Sequence, residues 1–300
     1  MSGHDHRETA AGRSRGVLVG SLVITGGFLL VEAAGAMWTD SLALAADAGH
    51  MLTDVGGLAL ALFATWIAAR PPTPAKTYGY YRVEILAATV NALLLLAVAG
   101  LILVEAYHRL RAPQDVLGGP MLVIAVAGLA ANLLAAWWLR HDARESLNVR
   151  AVYLEVLGDA LSSLGVVVAA LVVMRTGVTL MDPIVSALIA LFIVPRTWRL
   201  LMQAVNVLLE GTPAHLDLGE IEAAMVRIPG ARRVHDLHVW TLTSGREAMS
   251  AHVVIDDVRQ SERLLEALHA VLHARFGIDH TTIQLDVEHP VLKIKSPGGV

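Results

Sequence analysis

Over its first two thirds the chain alternates long apolar runs with short polar stretches, and then its period changes. Six apolar segments cover roughly 16–38, 42–68, 83–107, 119–140, 150–175 and 181–203. Each is near or above the ~20 residues a helix needs to cross the hydrocarbon of a bilayer, so six transmembrane helices are predicted. Trp38, Trp66, Trp137, Trp138 and Trp198 fall at segment edges, where interfacial aromatics belong. One side of this arrangement collects Arg7, Arg13 and Arg15, Arg70, Lys76 and Arg82, Arg140, Arg144 and Arg150, and Arg196 and Arg199. The other holds Arg109, Arg111 and Arg175. The asymmetry predicts a multi-pass protein of the cell membrane with both termini cytoplasmic, although the loop at Arg109 and Arg111 runs against the trend.

Beyond about residue 208 the hydropathy falls. Leu218–Ile228 reads as an amphipathic helix, Val234–Leu242 and Ala248–Ile255 as strands joined at Thr243-Ser244-Gly245, Ser261–Phe276 as a second helix stopped by Gly277, and Thr281–Val287 as a third strand. The order αββαβ predicts a small open-faced α/β sandwich in the cytosol. The expected division is a tail at 1–15, a six-helix transmembrane domain at 16–207 and a cytosolic domain at 208–300, with a hinge at Glu210-Gly211-Thr212-Pro213.

Composition agrees with this outline. The chain is 55% hydrophobic and 17% charged, with a mean hydropathy of +0.57, which excludes an ordinary soluble domain. A net charge of −4 argues against a nucleic-acid partner. The absence of cysteine excludes disulfides and thiolate metal sites, leaving imidazole and carboxylate for any metal chemistry. The polar start, Met1 to Arg15, lacks the apolar core of a signal peptide, so the first span is expected to act as the anchor.

Against that background the ionisable residues inside the apolar runs stand out, because each costs about 3 kcal/mol at the bilayer centre on insertion scales. On the second span Asp47, His50 and Asp54 form one stripe at i, i+3 and i+7. On the fifth, Glu155, Asp159 and Ser162 form another. Gly49, Gly56, Gly57, Gly158 and Gly165 offer close helix approach, and Asn132 adds a buried polar group in the fourth span. Hydrogen-bonded glue accounts well for a lone Asn and poorly for two spaced ionisable pairs. If the two faces meet, His50, Asp54, Glu155 and Asp159 supply one imidazole and three carboxylates. Three clustered carboxylates repel one another unless protonated or metal-bound, so protons and a cation compete for the same oxygens.

The stretches Ser41-Leu42-Ala43-Leu44, Ala46 to Asp54, Tyr78 to Ala87, Asp182-Pro183-Ile184-Val185-Ser186, Asp236-Leu237-His238-Val239-Trp240 and Thr282-Ile283-Gln284-Leu285-Asp286 resemble, in order, those of the cation diffusion facilitators. The resemblance implies a homodimeric exporter of zinc-like divalent cations that takes up protons in exchange by alternating access. It places the transport site at His50, Asp54, Glu155 and Asp159, with Glu155 standing where zinc-selective members commonly have His. The harder, more anionic set extends the expected cargo from zinc to cadmium, cobalt and manganese. The resemblance also implies a regulatory metal at His235, His252 and Asp286. Gln284 stands where a second cytosolic metal would need His, and the loop from Lys76 to Tyr81 lacks the His or Asp of a further site. A basic residue at the start of the third span pairs with an acid near the hinge in this family, which suggests Arg82 with Glu210. His4 and His6 of the tail are a weak metal-capture candidate.

Two other functions compete: a membrane-anchored metal sensor that does not transport, and an intramembrane metalloenzyme. An anchor needs no buried carboxylates, and no His-Glu-x-x-His motif occurs. The expectation is therefore a secondary transporter without a cofactor, whose partners are the divalent cation, protons, the bilayer and a second copy of itself.

Overall fold

The computed structural model describes residues 10–68, 70–140, 147–243 and 245–287 of the 300, without the side chains of 10–22, 24, 25, 54, 58, 61, 62, 65, 68, 147–149 and 151. The N-terminal His4 and His6 lie outside the described residues. In chain order the elements are α1 (Ala10–Thr39), α2 (Leu42–Ala68), α3 (Arg82–Arg111), α4 (Gly118–Leu139), α5 (Leu147–Thr176), α6 (Met181–Leu208), α7 (Leu218–Val226), β1 (Ala231–Thr243), β2 (Arg246–Ile255), α8 (Ser261–Phe276) and β3 (His280–Val287). Among the described residues α3, α4, Val152–Thr176 of α5 and α6 are long and apolar enough to cross a membrane. On α1 and α2, which are 30 and 27 residues long, part of the side chains lie outside the described set. Many of the largest apolar side chains point outward, among them Leu101, Val123, Leu188 and Phe192, as suits a lipid-facing surface and not a water-facing one.

The described residues divide into two compact units, one within Met1–Ala64 and Ala87–Leu201, the other within Thr65–Leu86 and Met202–Val300. In the first, the core is built from small residues on all six long helices, including Ala36, Ala43, Ala46, Ala99, Ala125, Ala169 and Ala190, around Leu44, Met121 and Val166. Small side chains let the backbones approach where lipid offers no hydrophobic drive for association. The break between α1 and α2 is fixed by a buried acid of α6. Asp182 accepts the Ser41 hydroxyl at 2.6 Å and the Leu42 and Ala43 amides at 2.8 and 3.2 Å, satisfying orphan donors at the start of α2. At the same corner Arg109 bonds the Asp40 carboxylate at 3.0 Å and Glu105 at 2.9 Å. This pairing is the physical reason a basic residue sits against the charge trend.

In the second unit β1 pairs antiparallel with β2, and β2 pairs parallel with β3 through the crossover helix α8. The αββαβ order matches the sequence expectation. The strands run a few residues longer than expected, and α7 stops at Val226. Ile221 and Met225 of α7 and Leu264, Leu268 and Leu272 of α8 bury against Met249, Ala251, Val253 and Ile255 of β2, so the helices cover one sheet face and leave the other open. A bulge in β1 adjusts its alternation. His235 pairs with His252 but His238 pairs with Ser250, and Asp236 between them has a φ of 48°. Val234 and Val239, of opposite parity, therefore both reach the core, while His235 stands beside His252 across the sheet.

Candidate metal sites

The first site sits in the helical unit. On α2, His50 and Asp47 are three residues apart; on α5, Asp159 and Ser163 are four apart, so each pair shares a helix face. His50 Nε2 lies 3.4 Å from Asp159 Oδ1, with the two side chains 12% and 5% exposed. The edge of a tetrahedron of ligands about 2.0 Å from one Zn²⁺ is about 3.3 Å, so the spacing fits two ligands of a single ion. Ser163 donates to Asp47 Oδ2 at 3.0 Å and receives the Asn132 amide at 3.2 Å. Asn132 thus ties α4 to this network as a hydrogen-bonding group. Asp54 lies on α2 one turn beyond His50, and its side chain is outside the described residues. Glu155 is not drawn to the pair. It is about one third exposed and sits 3.3 Å from the guanidinium of Arg196 on α6.

Three of the five glycines lie at close helix contacts. A Cβ on Gly49 would meet Val98 at 2.9 Å, one on Gly57 would meet the Asn91 side chain at 2.5 Å, and one on Gly165 would touch Val185. These positions bring α2 to α3 and α5 to α6. Gly56 and Gly158 face open space within 4 Å.

The second site lies on the open face of the sheet. His235 Nε2 and His252 Nδ1 approach the same Asp286 oxygen at 3.3 and 3.0 Å, and their rings are 5.0 Å apart. One ligand atom from each residue lies within 4.8 Å of the others. Asp286 pairs in register with Val254, two residues beyond His252, which is the diagonal relation on one face. Gln284 donates to the other Asp286 oxygen at 2.9 Å. Gln284 first, then His252, hold the Asp286 carboxyl below the ordinary carboxylate range, so it is ionised at neutral pH. Two imidazoles and a carboxylate suit Zn²⁺, with Gln284 acting as the outer group that orients a ligand.

Within the same unit Arg82 reaches Glu210 at 2.8 Å. Glu210, at the end of α6, has a φ of 59°, a conformation that favours glycine. The pair has company that the sequence did not signal: Thr243 donates to Glu84 at 2.5 Å and Arg246 to the Tyr81 hydroxyl at 2.7 Å. A second omission is Glu32 on α1, which is fully buried among the described residues. Its signal was present, an acid in the middle of a predicted span.

A bundle of long apolar helices holding a buried His–carboxylate pair, followed by a small sheet domain with a second ligand cluster, defines a membrane protein that handles metal ions. Residues 18–209 match the family model of the cation efflux transmembrane domain, and 213–288 match that of the cation efflux protein, cytoplasmic domain. The chain belongs to the cation diffusion facilitator family. It is 45% identical over 287 residues to the metal cation efflux system protein CzcD of Cupriavidus metallidurans, covering 95% of this chain and 90% of that protein. It is 46% identical over 267 residues to the zinc transporter ZitB of Escherichia coli, covering 88% and 85%. It is 37% identical over 291 residues to the cadmium, cobalt and zinc/H(+)-K(+) antiporter of Bacillus subtilis, covering 95% and 92%.

Proposed function

We propose that this protein is a homodimeric secondary transporter, not an enzyme, that exports divalent metal ions, zinc first, in exchange for protons. The observation that carries the reading is the buried His50–Asp159 pair between two helices of a membrane domain. The relatives' names, which include a zinc transporter and a cadmium, cobalt and zinc antiporter, support the cargo and the exchange. The transport site comprises His50, Asp54, Glu155 and Asp159. Glu155 reaches the ion by leaving Arg196, so one ligand is exchanged as the cargo arrives. The oxygen-rich set favours a broader range that takes in cadmium, cobalt and manganese. Protons replace the ion on the same side chains when it leaves, which couples the two fluxes.

The cytoplasmic portion, 208–300, follows a transport portion at 16–207 and a tail at 1–15, and both termini face the cytosol of a cell-membrane protein. His235, His252 and Asp286 hold a resident regulatory ion. Pinning three strands at one point, the ion favours the compact form of the dimer by mass action. Arg82 with Glu210 orients the loop before α3. Uptake of Zn²⁺, Cd²⁺, Co²⁺ and Mn²⁺ into sealed proteoliposomes tests the reading. Saturable uptake of at least zinc is expected. Metal binding without uptake would leave the sensor function in its place.

A further inference from the structure

The proposed transport ligands do not account for one fully enclosed acid among the described residues. Glu32 of α1 has no exposed surface, and neither of its carboxylate oxygens meets a hydrogen-bond donor. The polar group beside it is the carboxylate of Asp47, 1% exposed, whose Oδ1 also lacks a donor while Oδ2 is held by Ser163. Gly128 of α4 makes the enclosure possible: a Cβ there would lie 3.0 Å from Glu32 Oε1 and 2.5 Å from the Phe28 ring. Among the described residues the other titratable groups around the pair are Asp159 of α5 and His50 of α2, and α4 contributes only the neutral Asn132. No Lys or Arg occurs within 23–64, 118–139 or 152–174, so these segments hold no cation of their own to neutralise two acids.

Two buried carboxylates side by side cannot both be ionised without a cation, whereas one shared proton turns their repulsion into an O–H···O bond. We propose that Glu32 and Asp47 form a proton-carrying site separate from the metal ligands. One exchanged proton is loaded there as metal leaves on the far side and returned to the cytosol as the next ion binds. The O–H bond made on loading is the bond broken on release, so charge and atoms balance. Coupling is geometric. Asp47 lies one turn before His50, and Ser163 one turn after Asp159, so a shift of α2 against α5 that opens the metal pair also breaks the Ser163–Asp47 bond.

The inference rests on the proton-exchange reading, and the test separates the two. Full-length protein in liposomes is assayed for Zn²⁺ binding, for Zn²⁺–Zn²⁺ exchange without a pH gradient, and for flux driven by a pH gradient. Glu32→Gln should bind Zn²⁺ and exchange it, lose at least tenfold of its proton-driven flux, and release fewer protons per ion by about one, as expected when one shared site is removed. An unchanged proton count would make Glu32 structural and overturn the proposal. Loss of Zn²⁺ binding in the folded variant would place Glu32 in the metal site and also overturn it. If the wild type shows no proton-driven flux, the exchange reading itself fails, whatever the variant does. Infrared difference spectra of wild type with and without Zn²⁺ need no variant. A protonated-carboxyl band that changes with loading is expected, and its absence contradicts the shared proton.

Discussion

At the scale of single residues the proposed transport site turns on His50, Asp159 and Glu155. Asp159→Ala removes the buried carboxyl beside His50, a proposed ligand, and should lower Zn²⁺ transport by at least about 100-fold in vesicles, given that even outer-shell changes cost 10–100-fold. Wild-type flux at normal expression would exclude Asp159 from the site. Glu155→His should keep transport and raise the preference for Zn²⁺ over Mn²⁺, since imidazole suits the softer ion. An unchanged preference ratio would take Glu155 out of the ligand set. Arg196→Gln tests its present partner: an exposed pair is worth up to about 1 kcal/mol, so releasing Glu155 should tighten Zn²⁺ binding by up to about fivefold in equilibrium titration. At this scale the sequence was informative about spacing and silent about direction. The i, i+4 relation fixes which face of α5 carries Glu155 and Asp159. It does not reveal that Arg196, 41 residues away on another helix, holds one of them. Glu32 lies in the middle of the first apolar run, and a mid-span acid is itself a signal of function.

At the scale of elements the outcome follows from how each period is made. Long apolar runs mark α1 to α6 as helices, and among the described residues α3, α4, Val152–Thr176 and α6 have the length and composition that hydrocarbon demands of an unbroken hydrogen-bonded span. Helix starts were less visible, since Asp182 stabilises the N-terminus of α2 from 140 residues away. Asp182→Ala strands the Leu42 and Ala43 amides and the Ser41 hydroxyl, and should cost about 2 kcal/mol, read as a lower midpoint in unfolding of the detergent-solubilised protein. An unchanged midpoint would show the cap to be dispensable. In the sheet, strict alternation predicts opposite faces for His235 and His238. The bulge at Asp236 breaks that parity and sets His235 beside His252 and Asp286. Changing His235 and His252 together to Ala should lower the Zn²⁺ bound per full-length chain by about one, because too few donors remain for a structural site. Elemental analysis after desalting measures this, and an unchanged ratio would return the histidines to a structural role.

At the scale of the molecule, the proposed exchange has cargo and counter-ion compete for a few buried carboxylates, and that competition would turn a membrane domain into an exchanger. Binding the dication satisfies acids that otherwise need protons, and protons satisfy them when the ion leaves. Proton-driven zinc uptake by full-length protein in sealed vesicles, with the pH gradient imposed and then collapsed, tests this most directly. Zn²⁺ should accumulate against its own gradient while the pH difference lasts and fall back to equilibrium when it is dissipated. Zn²⁺ flux indifferent to that collapse would contradict the proposed exchange.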